Sequence, residues 1–200
     1  VGRGPLLLYS GQEVGEPADG AEGFGGDDAR TTIFDYWSMP EVARWVNEHR
    51  YDGGRLRPEQ RDLRDFYQRL LELVGEPAFR DGEFFALNYA NVDQPGFGRL
   101  PGEQASGHWL YAFLRSDRAT AQRYLVVANL HRSETARDVR VCLPTEALEF
   151  IGLSAGARVR LIERLATRGE HAVEVESLDG GVSIGTIPPL TSWYFQFQNA

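Results

Sequence analysis

Beyond Pro77 apolar residues recur at every second position, and that alternation commits the rest of the chain to half-buried antiparallel strands. Residues 83–89, 108–115, 123–129, 137–143, 158–163, 172–176, 182–184 and 191–197 read as short strands, most of them separated by Gly, Pro, Asp or Ser turns. Val139, Val141 and Leu143 alternate with Asp138 and Arg140, so one face of that strand is buried and the other wet. Runs of this length and spacing build an antiparallel sandwich or barrel.

Before Pro77 the pattern is different. Pro58 opens a helix that runs to about Val74 and is closed by Gly75, with Pro77 behind it. Leu63, Phe66, Tyr67, Leu70, Leu71 and Val74 fall on one stripe of it, a face that has to be packed against a neighbour. A shorter helix is expected from a capping box at Ser38 and Glu41 to about His49, with Val42, Trp45 and Val46 inward. Residues 16–28 are too glycine-rich and acidic for regular structure and read as a long mobile loop, a candidate binding rim. In front of it, Leu6-Leu7-Leu8-Tyr9 is an unbroken apolar run of the kind buried on both faces in a parallel sheet. Such a strand needs parallel neighbours, and a closed barrel takes about eight strand-helix units over roughly 250 residues. The expectation is therefore a piece of something larger, with a domain boundary near residues 75–78.

Composition narrows the partners. The chain is 42% hydrophobic and 12% aromatic, ample for a core. Its 21 basic residues, all Arg, against 29 acidic ones give a charge of −8, which argues against nucleic acid and against an anionic membrane surface. No run approaches the ~18 apolar residues of a membrane span, and the sequence sets no compartment. Cys142 is the single cysteine, so an internal disulfide is excluded and a buried thiol is expected. His49, His108, His131 and His171 show no ligand spacing, and no transition-metal chemistry is expected. Ser10 lacks the upstream glycine of a nucleophile elbow, because Leu8 holds that position, and reads as a turn residue. Residues 23–28 lack both the Lys-Ser/Thr of a P-loop and the ligand series of an EF-hand. Arg57, Arg61, Arg64 and Arg69, interleaved with Glu59, Asp62 and Asp65, are expected to form surface ion pairs along the second helix.

One grouping stands above this background: Tyr9, Gln12 and Glu13 after the apolar run, with Phe34, Asp35, Tyr36 and Trp37 at the loop exit. Aromatic rings beside carboxylates and amides suit sugars, whose ring faces stack while their hydroxyls take polar partners. The same aromatics could equally staple the loop to a wall.

These residues resemble a known family. Gly4-Pro5-Leu6-Leu7-Leu8-Tyr9-Ser10-Gly11-Gln12-Glu13 looks like the eighth barrel strand and its exit in glycoside hydrolase family thirteen, the α-amylase family. Thr32-Ile33-Phe34-Asp35-Tyr36-Trp37 is similar to the loop before the eighth barrel helix, and Pro58-Glu59-Gln60-Arg61-Asp62-Leu63-Arg64-Asp65-Phe66-Tyr67 to that helix. The end of the chain, Ile187-Pro188-Pro189-Leu190-Thr191-Ser192-Trp193-Tyr194-Phe195, resembles the family's final strand. The resemblance implies a mainly β fold with an N-terminal α/β remnant: residues 1–77 the last unit of a (β/α)8 barrel, with one barrel strand and two helices, and residues 78–200 the C-terminal antiparallel β-sandwich.

It also implies retaining hydrolysis or transfer of α-glucosidic bonds by a parent acting on starch or maltooligosaccharides, through two carboxylates about 5 Å apart. Those carboxylates follow earlier barrel strands. None is assigned here, and Glu13, Asp27, Asp28 and Asp35 do not take their place. Tyr9, Gln12, Glu13, Tyr36 and Trp37 are the candidate substrate-binding residues. The chain by itself is expected to need no cofactor and to be inactive, with calcium left to the full-length parent. Its exposed barrel remnant is expected to be floppy or to self-associate. Two readings compete with this one: a stand-alone carbohydrate-binding or structural module using Trp109 or Trp193 as a platform, although strand alternation favours the core for both, and a family member that has lost its catalytic barrel.

Overall fold

The computed structural model describes residues 6–17, 39–167 and 169–199, and the chain divides into two compact units, Gly4–Leu71 and Glu72–Ala200. Within the second unit lie eight strands: β1 (Glu83–Ala86), β2 (Leu110–Asp117), β3 (Gln122–Asn129), β4 (Ala136–Val141), β5 (Val159–Glu163), β6 (Ala172–Val175), β7 (Val182–Ile187) and β8 (Thr191–Asn199). Each falls on one of the runs marked by period-two alternation. Six of them form one antiparallel sheet in the order β1-β2-β3-β8-β5-β6, and β4 pairs with β7 in a second. Alternation then assigns the faces. Leu110, Ala112 and Leu114 of β2, Leu125 and Val127 of β3, and Phe195 and Phe197 of β8 share one core with Val139 and Val141 of β4 and Val182, Ile184 and Ile187 of β7. The unit is thus mainly antiparallel β, with two sheets closing on a single core, an arrangement compatible with a β-sandwich.

The opposite face of the large sheet is also buried. Tyr124 is fully buried and Tyr194 nearly so, and Phe79 packs its ring 4.8 and 5.8 Å from theirs. Phe79 belongs to a short helix absent from the sequence reading, Pro77–Arg80. Its carbonyls are taken up from the sheet: Arg115, 1% exposed, donates to the Ala78 carbonyl at 3.0 Å and the Phe79 carbonyl at 2.6 Å. The Tyr124 hydroxyl donates to Glu76 at 2.5 Å, and burial together with that carboxylate pushes its pKa far up. Two of the guanidinium nitrogens thus answer helix-end carbonyls, which offsets much of the cost of placing an Arg inside a sheet layer.

Several boundaries differ from expectation. The strand expected over 83–89 ends at Ala86, where Asn88 takes over its pairing: the side-chain oxygen accepts from Ala112 N–H at 2.9 Å and the amide donates to the Leu110 carbonyl at 2.8 Å. Pairing with β2 continues through a side chain while the backbone turns into a short helix, Asn88–Asn91. A further helix, Thr145–Ile151, lies where the sequence reading assigned nothing; it buries Ala147, Leu148 and Ile151 and ends on Gly152 at φ 65°. Cys142 is half-buried and unpaired, not fully enclosed.

In the first unit, the helix over Pro40–Val46 is α1 and that over Pro58–Val74 is α2. The expected strand at residues 6–9 is not formed with any of the described residues, and Leu7 is 85% exposed. An apolar run has strand geometry only where another strand takes its backbone groups. The apolar stripe of α2 is correspondingly half-covered, with Leu71 exposed, while Leu73, off that stripe, is buried. α1 also stops short of His49. Asn47, Glu48, His49 and Tyr51 all have positive φ, between 45° and 69°, and form a left-handed turn that each non-glycine residue adopts at about 1–2 kcal/mol. Three of the arginines expected to pair along the helix reach other partners: Arg57 reaches Glu41 at 3.1 Å, Arg61 the Gly54 carbonyl at 3.3 Å, and Arg64 lies over Trp45.

Candidate functional site

The Tyr9–Glu13 segment is shaped by Gly11. Its φ of 88° opens a 3-10 turn, Gln12–Val14, which Gly15 closes at φ 68°. A Cβ on Gly11 would stand 2.7 Å from Glu16 Cβ and 2.8 Å from Met39 Cε, so both conformation and space require glycine there. Gln12 N–H donates to the Tyr9 carbonyl at 3.0 Å, and Val14 is anchored beneath at 1% exposure.

Three polar groups hold the turn against the helices. The Glu16 carboxylate accepts from Glu41 N–H at 2.8 Å and Val42 N–H at 3.0 Å, and so caps α1. The Ser38 capping box expected from sequence lies outside the described residues, and Glu41 is used otherwise: it accepts from Gln60 at 2.6 Å and pairs with Arg57 and Arg44. Gln60, 5% exposed, also donates to the Val14 carbonyl at 2.8 Å and accepts from Arg57 N–H at 3.1 Å at the start of α2. Gln12 extends its amide to the Tyr67 hydroxyl at 2.7 Å.

Burial raises the Glu41 pKa, but the Gln60 hydrogen bond and the Arg57 and Arg44 guanidiniums outweigh it, and the net shift is downward. A depressed carboxylate stabilises the fold above its unfolded pKa of about 4.3 and loses that contribution as pH falls through the lower folded value. Acid titration followed by hydrogen exchange is therefore expected to loosen the 11–16 turn below about pH 4, and Glu41→Gln to flatten that dependence; a turn equally protected at low pH in both proteins contradicts it.

The structure thus brings Tyr9, Gln12 and Glu13 onto one turn. Tyr9 is 47% exposed, Gln12 is exposed and Glu13 half-buried. Tyr36 and Trp37 lie outside the described residues, as do Phe34 and Asp35. Glu16, Gln60 and Tyr67 were not singled out by sequence reasoning; Glu16 was assigned to the acidic loop, and only Gln60, three residues after Arg57, carried a usable signal, the spacing of a capping box.

Neither a protein-family model nor a curated protein matches the chain.

Elsewhere, no group of three or more His, Cys, Asp or Glu positioned to hold a metal occurs among the described residues. Nor is any described helix long and apolar enough to cross a membrane. Of the two candidate platforms, Trp193 packs on the core and donates its indole N–H to the Thr186 carbonyl at 3.2 Å, with His171 edge-on at 5.3 Å. Trp109 is half-buried between the rings of His108 and His131, 4.6 and 4.7 Å away.

Proposed function

We propose that this chain serves α-glucan processing as the closing strand-helix unit and C-terminal β domain of a family thirteen glycoside hydrolase. The observation that carries the reading is the glycine-required turn at Gly11, which sets Tyr9, Gln12 and Glu13 side by side in the order the family uses at the end of its eighth barrel strand. A mainly antiparallel two-sheet unit after two helices supports it. In this reading Tyr9 and Gln12 border the sugar-binding cleft, Glu13 supports neighbouring side chains, and Tyr67 orients Gln12. The residues that break the bond belong to earlier barrel strands, as a retaining pair of carboxylates. Calcium, if the parent uses it, would be bound there too.

The test compares the 200-residue chain with the product of its whole coding sequence on maltooligosaccharides, following anomeric configuration by NMR. Retaining hydrolysis by the whole product and none by this chain is the expected result. Turnover by the chain alone, or a whole product that neither contains a barrel nor cleaves α-glucans, overturns it.

A further inference from the structure

Away from the Gly11 turn, the first unit holds a recess of about 350 Å³ between the left-handed turn after α1 and the first turns of α2. Trp45 and Leu56 form its apolar wall, and Asp52, Arg61, Arg64 and Asp65 its polar rim. All of these lie within one compact unit. The four charged groups are not spent on one another: none takes part in an ion pair among the described residues, although Arg61 and Asp65 stand one helical turn apart. Arg61 is instead held by the Gly54 carbonyl at 3.3 Å, and Arg64 by the Trp45 ring at 5.3 Å to its centroid. Asp52 is fixed through one oxygen, which accepts from Asn47 at 2.7 Å and from Gly54 N–H at 2.8 Å. Gly53, which lines the recess, turns the chain there at φ 67°.

The charge balance selects the ligand. An anion would meet Asp52 and Asp65, and a cation Arg61 and Arg64. A neutral polyhydroxylated molecule can donate to the carboxylates and accept from the guanidiniums, with Trp45 and Leu56 as an apolar wall beside it. We infer that this recess is a binding site for one pyranose ring of a neutral oligosaccharide. It stands on the recess alone and is independent of any catalytic role of the parent.

The experiment is a titration of the 15N-labelled chain with maltotriose, with cellotriose and, separately, with sodium sulfate and glycine betaine. The readout is the Trp45 indole resonance, assigned from Trp45→Phe. Saturable movement of that resonance by either sugar is expected. Arg61→Ala and Asp65→Ala, both at exposed positions, are each expected to weaken it at least about tenfold at unchanged melting temperature. No saturable shift with either sugar, sugar binding unchanged in both variants, or tighter saturation by sulfate or betaine than by the sugars each overturns the proposal. Should Trp45→Phe fail to fold, loss of the sugar-dependent shift in the two helix-surface variants carries the same test.

Discussion

Glu163→Ala is expected to cost the 72–200 unit about 3–5 kcal/mol, a fall of about 10–20 °C in melting temperature. Glu163 is fully buried at the end of β5, and it forms no ion pair with an arginine among the described residues. Its carboxylate accepts instead from Leu165 N–H at 2.9 Å, Thr167 N–H at 2.7 Å, the Thr167 hydroxyl at 3.0 Å and Tyr194 N–H at 3.3 Å. Truncation leaves these donors in a dry site, and an unsatisfied buried N–H costs more than the bond it made. Glu163→Gln keeps one acceptor oxygen but turns an amide against the remaining donors, and is expected to fall between the two. Thermal denaturation of the three proteins decides it: if Glu163→Ala melts within about 2 °C of the parent, the carboxylate does not organise the loop after β5.

The second large effect is at Gly11. Gly11→Ala combines the cost of a positive φ, about 1–2 kcal/mol, with an overpacking cost of about 1–3 kcal/mol from the approach to Glu16 and Met39. A loss of about 2–5 kcal/mol in the first unit follows. Gly15→Ala is the matched control: its φ is also positive, at 68°, but the nearest atom is Leu63 Cδ2 at an ordinary 3.4 Å, so only the conformational part, about 1–2 kcal/mol, applies. Hydrogen exchange of residues 11–16 separates them; equal losses in the two variants would mean that the packing of Glu16 against Gly11 contributes nothing.

What the sequence disclosed depended on the length scale of each signal. The β-strands were legible because Val139, Val141 and their counterparts repeat an in-out pattern over enough residues to stand clear of chance. The four-residue helices Pro77–Arg80 and Asn88–Asn91 are too short to show a period, and a tertiary partner, Arg115, answers carbonyls of the first. The run Leu6-Leu7-Leu8-Tyr9 misled in the opposite direction: its composition suits a strand, but hydrogen bonding between strands is a property of neighbours, which one segment cannot encode. In the candidate site, Gly11 was visible as part of a motif. Glu16 was not, because it acts far away in the chain, on Glu41, and of Gln60 only the spacing from Arg57 was visible, not the reach to Val14.

The two borders of the large sheet have a consequence for association. β1 and β6 are four residues each. Along the β5–β6 pair, Arg160 of β5 meets Glu174 of β6, and Arg158, just before β5, meets Glu176, just after β6, in ion pairs, while Asn88 extends the pairing of β1 with β2. Short borders, one of them flanked by charge, make poor templates for a strand from another molecule. Growth of the sheet by added strands is thereby discouraged, most of all at the β6 border.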